Sequence, residues 1–82
     1  DEYVGWKDGF FVFRQRSLGE IATQLEKWYD VQILFANDDL PKLLFTGYLK
    51  RYDDIDVFFD ALKRTGLINY HIEGNHILVT TN

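Results

Sequence analysis

Residues 17–35 read Ser-Leu-Gly-Glu-Ile-Ala-Thr-Gln-Leu-Glu-Lys-Trp-Tyr-Asp-Val-Gln-Ile-Leu-Phe. Ser17 and Glu20 have the spacing of a capping box, with the serine as N-cap and the glutamate three residues on. Leu18, Ile21, Leu25 and Trp28 then recur at intervals of three and four, which predicts an amphipathic helix stopping near Tyr29-Asp30. Val31, Ile33 and Phe35 alternate with Gln32 and Leu34, so a strand follows. Helix then strand is half of a unit, and the chain repeats it. A shift of 37 residues carries Ser17 to Asp54, Leu18 to Ile55, Ile21 to Phe58 and Leu25 to Leu62. The same shift carries Val31, Ile33 and Phe35 to Ile68, Tyr70 and Ile72.

Working outward, Gly9 with Asp8 forms a turn into a short strand, Phe10-Phe11-Val12-Phe13, continued by Arg14-Gln15-Arg16. Asn37-Asp38-Asp39 and Pro41 mark a loop with room for one helical turn. Leu44 to Lys50 reads as a strand. Asp53 or Asp54 caps the second helix, whose apolar face is Ile55, Phe58, Phe59 and Leu62, and Gly66 ends it. Glu73-Gly74-Asn75-His76 is a tight turn between the strand at Ile68, Tyr70 and Ile72 and a last strand at Ile77 and Val79. The order is β-α-β-β-α-β-β. This is an α+β domain of two pseudo-repeated β-α-β units, and each crossover is expected to be right-handed. No linker divides the chain, so residues 1–82 form one domain.

Composition agrees and excludes several classes. The chain has 82 residues, 46% of them hydrophobic and 17% aromatic, which is unlike a disordered segment. Area scaling allows burial of about 64% of the unfolded surface, a small core. Without cysteine there is no disulfide scaffold, thiolate metal site or cysteine nucleophile. No apolar run approaches the roughly 20 residues that span a bilayer. A net charge of −4 argues against sequence-independent nucleic-acid binding. The start at Asp1, with no methionine and no signal peptide, reads as a cut from a longer protein.

Few residues suggest chemistry. His71, Glu73, His76 and Leu78 fall on one face of the last hairpin, with Tyr70, Ile72, Ile77 and Val79 on the other. Two histidines and a glutamate are zinc-type ligands, yet polar residues opposite a core face serve equally to meet water. Asp53, Asp54, Asp56 and Asp60 form a carboxylate cluster whose first three members sit at a helix start, where capping and the helix dipole favour negative charge. Tyr48-Leu49-Lys50-Arg51-Tyr52 interleaves bases and aromatics, as protein or nucleic-acid contacts do. No Gly-rich phosphate loop is present. We assign no catalytic residue, cofactor or metal. What remains is binding: small sheets have edges that accept another strand, and aromatic residues supply contact area. Trp6, Trp28 and Tyr29 are the aromatics least bound to the core pattern.

One resemblance covers residues 3–79. Trp6-Lys7-Asp8-Gly9, Val12-Phe13, the series from Leu18 through Trp28-Tyr29-Asp30-Val31 to Ile33, Phe45-Thr46-Gly47-Tyr48, Leu62, and Tyr70-x-Ile72-x-Gly74-Asn75-x-Ile77 together resemble the C-terminal domain of FecR-type anti-sigma regulators. Ser17 stands where that family often has proline, and both suit a helix start. The fold is similar to the short N-terminal domain of secretins and TonB-dependent transducers, which implies two helices packed between two small sheets. The resemblance implies a periplasmic part of an inner-membrane protein. Its partner would be the signalling domain of a TonB-dependent outer-membrane transporter and, indirectly, an extracytoplasmic-function sigma factor. It implies neither catalysis nor contact with nucleic acid or membrane. Trp28, Tyr29, Tyr48, Lys50 and Tyr52 are the partner contacts expected, through a sheet edge and an aromatic patch, and a free edge also admits a homodimer. The alternatives are a short signalling domain of a transducer or secretin, and a small-molecule regulatory domain.

Overall fold

The computed structural model describes residues 9–50 and 52–82 throughout and, for residues 3–7, the backbone. Six strands and two helices follow in order: β1 (Tyr3–Lys7), β2 (Phe10–Ser17), α1 (Leu18–Tyr29), β3 (Gln32–Phe35), a 3-10 turn (Leu40–Lys42), β4 (Leu44–Lys50), α2 (Ile55–Lys63), β5 (Ile68–Glu73) and β6 (His76–Thr81). From β2 onward this is the expected order; β1 is an additional strand ahead of it. Asp8, of the expected Asp8-Gly9 turn, lies outside the described residues, as do Arg51 and the side chain of Trp6.

The strands form two three-stranded sheets. The first is antiparallel, in the order β1-β2-β4. The second runs β3-β6-β5, with β6 parallel to β3 and antiparallel to β5. Each β-α-β unit therefore begins in the first sheet and ends in the second. The right-handed crossover expected from sequence does not arise, because that rule governs parallel strands of one sheet. A pseudo-two-fold relates the units instead. β2 and β4 are antiparallel neighbours, and β3 and β5 run in opposite directions on either side of β6. β6 thus lies near the axis, and β1 has no counterpart.

Helix α1 forms as its sequence dictates. The Ser17 Oγ accepts the Glu20 N–H at 3.3 Å and donates to Glu20 Oε1 at 3.0 Å. Arg16 adds a 3.3 Å ion pair to the same carboxylate. Asp30 closes the helix in the left-handed region at φ 52°, a conformation that aspartate tolerates better than most residues. Asp54 takes the N-cap position of α2 without a side-chain cap bond.

Most of the repeated positions belong to the core, but Val31, Phe35, Ile55 and Tyr70 are only partly buried and Ile72 is exposed. Leu18, Ile21, Ala22 and Leu25 of α1 are buried, as are Phe58, Phe59 and Leu62 of α2. Trp28 has the spacing of the α1 face but is also among the aromatics expected off the core pattern, and it is 53% exposed, because the buried stripe ends one turn earlier. Phe11, Phe13, Phe45 and Leu49 come from the first sheet, and Ile33, Ile68, Ile77 and Val79 from the second. Aromatic contacts join the layers: Phe13 meets Phe58 edge-on at 5.5 Å between ring centres, and Phe59 meets Tyr70 at 5.5 Å with the rings tilted. The helices thus lie between the sheets. The Tyr70 hydroxyl donates to Asp60, and this bond holds its pKa up at about 12, with smaller contributions from burial and the charges of Asp60 and Asp56.

Candidate functional site

Period-two alternation divides the first sheet. Phe11 and Phe13 on β2, and Phe45 and Leu49 on β4, point to the core. Phe10, Val12 and Arg14, with Thr46, Tyr48 and Lys50, make the opposite face. An antiparallel sheet that shows one face to water normally shows polar residues there. This face is largely apolar. Tyr48 is 66% exposed and Leu44 64%. The rings of Phe10 and Tyr48 meet edge to face, 5.5 Å apart and at 87°, a diagonal cross-strand contact that holds both. On the other side Gly5 of β1 stands opposite Val12. The result is a shallow hollow of about 510 Å³, floored by Val12 and rimmed by Phe10 and Tyr48 with Arg14 and Lys50.

The same sheet has an open side. Among the described residues β4 carries no strand on the side away from β2. Between that edge and α2 runs a groove of about 360 Å³, lined by Phe13, Phe45, Leu49, Val57, Phe58 and Ala61 among others. Val57 and Ala61, one turn apart on α2, are exposed. Gly47 lies beside this groove for a packing reason: a Cβ there would come within 3.2 Å of the Phe13 Cζ. A bulge follows, where Arg14 and Gln15 together face Thr46. Gln15 takes φ 50°, and its N–H donates to Thr46 Oγ1 at 2.9 Å.

The two edges of the second sheet are blunted by side chains. The Glu26 carboxylate accepts the Ile33 N–H of β3 at 2.8 Å. Asn69 Oδ1 accepts the Tyr70 N–H of β5 at 2.8 Å. Charge is also divided unevenly. β2 and β4 hold Arg14, Arg16 and Lys50 and no carboxylate, in a chain with 13 acidic residues and net charge −4.

The expected contact residues separate. Tyr48 and Lys50 sit together on the aromatic face. Tyr52 follows the end of β4 and is 90% exposed. Tyr29 is half-buried, and its hydroxyl donates to the Asp53 carbonyl at 2.8 Å, tying the end of α1 to the start of α2. Burial pushes its pKa up, helped by the charges of Asp53 and Asp54. Trp28 lies at the end of α1 and lines neither the hollow nor the groove. Phe10, Val12, Arg14 and Leu44 belong to the face but were not singled out from sequence. The signal for them was the alternation Phe10-Phe11-Val12-Phe13, which exposes every second residue of what reads as a continuous apolar run.

The other chemical candidates do not converge. His71 pairs with Leu78 and Glu73 with His76, the expected hairpin register, and all four are exposed. Among the described residues no three metal-ligating side chains come together. Nor, among them, is any helix long and apolar enough to cross a membrane.

Comparison with known proteins gives one family and one fold. The model of the family described as "FecR, C-terminal" matches residues 10–79. Two crystal structures of a protein titled a "putative anti-sigma factor", from Parabacteroides distasonis ATCC 8503, superpose with TM-scores of 0.79 and 0.78 at 17% identity. Each match covers 95% of this chain and 36% of the other, so the chain spans about a third of those proteins. At that identity the likeness is one of fold. No curated protein sequence matches.

Proposed function

Because the chain belongs to the FecR C-terminal family, we propose that it is the receiving module of a membrane-anchored anti-sigma regulator, placed in the periplasm. There it binds the signalling domain of a TonB-dependent outer-membrane transporter, and the bound state is passed on to an extracytoplasmic-function sigma factor. The module works by docking, without catalysis. The observation that carries this reading is the aromatic outer face of the first sheet, Phe10, Val12, Tyr48 and Leu44, lying beside an edge strand. Exposed apolar patches of this kind mark interaction surfaces, and tyrosine supplies contact area at small entropic cost.

The test is titration calorimetry of this chain against the cognate signalling domain, both folded. A dissociation constant in the micromolar range or tighter is expected, weakened about tenfold or more by Tyr48→Ala. Absence of binding at several hundred micromolar would refute the reading. So would undiminished affinity in a Phe10→Ser, Tyr48→Ser double variant, since the proposal places contact on that face.

A further inference from the structure

We propose that the far edge of β4 takes an extended acidic and apolar segment of a partner protein as an added antiparallel strand of the first sheet. This rests on the docking reading above and specifies the chemistry of its occupant.

Three features of the molecule converge there. The pseudo-two-fold that exchanges β2 and β4 moves β1 to the far side of β4. An antiparallel strand is present on the first unit and absent, among the described residues, from the second. α2 supplies the floor for that missing strand, since its exposed Val57 and Ala61 lie in the groove along the edge. An added strand, about 4.8 Å from β4, would set alternate side chains onto these two residues. The edges of the second sheet are less receptive. Glu26 occupies the Ile33 N–H and Asn69 the Tyr70 N–H, while among the described residues no side chain caps a backbone N–H of β4.

The charge of the occupant follows from the opposite face. The intervening side chains of an added strand would emerge beside Tyr48 and Lys50, with Arg14 across the hollow. Both cations are exposed, and β2 and β4 contain no carboxylate. Acidic residues there gain cross-strand pairing, and basic ones are repelled. A second copy of β4 is the weaker occupant, because it brings Lys50 and again no carboxylate. Main-chain bonds would then supply affinity and the alternating pattern specificity.

The experiment uses this chain and synthetic peptides of about eight residues. Valine stands at alternate positions, with glutamate, serine or lysine between. The glutamate peptide is expected to bind about tenfold more tightly than the serine peptide, and the lysine peptide more weakly still. Amide resonance shifts should fall on residues 44–50 and on Val57 and Ala61. High salt should narrow the gap. A variant carrying Arg14→Glu and Lys50→Glu, both at exposed positions, should invert the order while its circular dichroism stays unchanged. Equal affinities, no binding of any peptide at about 1 mM, or shifts centred on β3 or β5 would overturn the inference. So would concentration-dependent shifts of β4 without peptide, which identify a second copy as the occupant. The two proposals fail separately. A signalling domain that binds the charge-reversed variant normally removes this inference and leaves docking intact. A glutamate peptide that binds at β4 while the signalling domain does not bind removes only the identity of the partner.

Discussion

Replacing Gly47 with alanine adds one methyl group at the most crowded point of the open sheet. The new Cβ would stand 3.2 Å from Phe13 Cζ and 3.4 Å from Cε2, inside the ordinary carbon contact of about 3.5–4.0 Å. The ring must yield by a few tenths of an ångström. It has little freedom, being 4% exposed and set edge-on to Phe58 at 5.5 Å. Overpacking of this sort costs about 1–3 kcal/mol. Alanine regains about 0.5–1 kcal/mol over glycine in a strand through lower backbone entropy. The net is a loss of about 1 kcal/mol, or roughly 4–8 °C in melting temperature for a domain this size. Urea unfolding followed by tryptophan fluorescence and far-ultraviolet circular dichroism measures it. The decisive arm is a double-mutant cycle. Phe13→Leu removes the contacted ring atoms, so Gly47→Ala in that background should be neutral or stabilise by about 0.5 kcal/mol. An alanine variant as stable as the parent, or one equally harmful in both backgrounds, would refute the packing argument.

Other expectations follow from the caps, the core and the hydroxyl bonds. Ser17→Ala should cost about 1 kcal/mol, because it removes a cap bond that is present. Asp54→Ala should cost less, about 0.3 kcal/mol, because only the helix dipole is affected; urea midpoints separate the two. Phe59→Ala should cost about 3–5 kcal/mol, a large share of the roughly 4–12 kcal/mol available to 82 residues, and should be visible as a strongly lowered melting temperature. Tyr70 has a folded pKa of about 12 against an ordinary 10.0. Its stabilisation is therefore complete below pH 10 and is lost as pH rises through 12. Denaturation at stepped alkaline pH should show a loss that Tyr70→Phe reduces.

The helices were legible because several local signals agreed: a cap, a period of three and four, and a stop. The offset that takes Ile21 to Phe58 and Leu25 to Leu62 carried much of the core with it. β1 was not legible. It is five residues with a glycine at its centre, and its pairing with β2 sustains it more than its own pattern does. The division of each unit between two sheets could not be read from spacing either, since a β-α-β pattern is the same whether its strands join one sheet or two. At the candidate site, the interleaved stretch from Tyr48 to Tyr52 drew attention to β4. The partners of Tyr48 on β2 stayed hidden within a run that looked wholly internal. Tyr29 shows the converse: it lay off the periodic core pattern, but its hydroxyl reaches the carbonyl of Asp53.

The position of β6 governs when the molecule can fold. β3 and β5 touch each other through no ladder of their own; each is bonded to β6, which follows both in sequence. The second sheet therefore cannot close until β6 has joined them both. Until then Ile33 and Ile68 of the core have no neighbouring strand in their sheet. Such late, non-local closure slows folding and leaves apolar surface open to chaperones. It also makes β6 indispensable: removal of residues 76–81 would dissolve a whole sheet, where removal of an edge strand would only fray one.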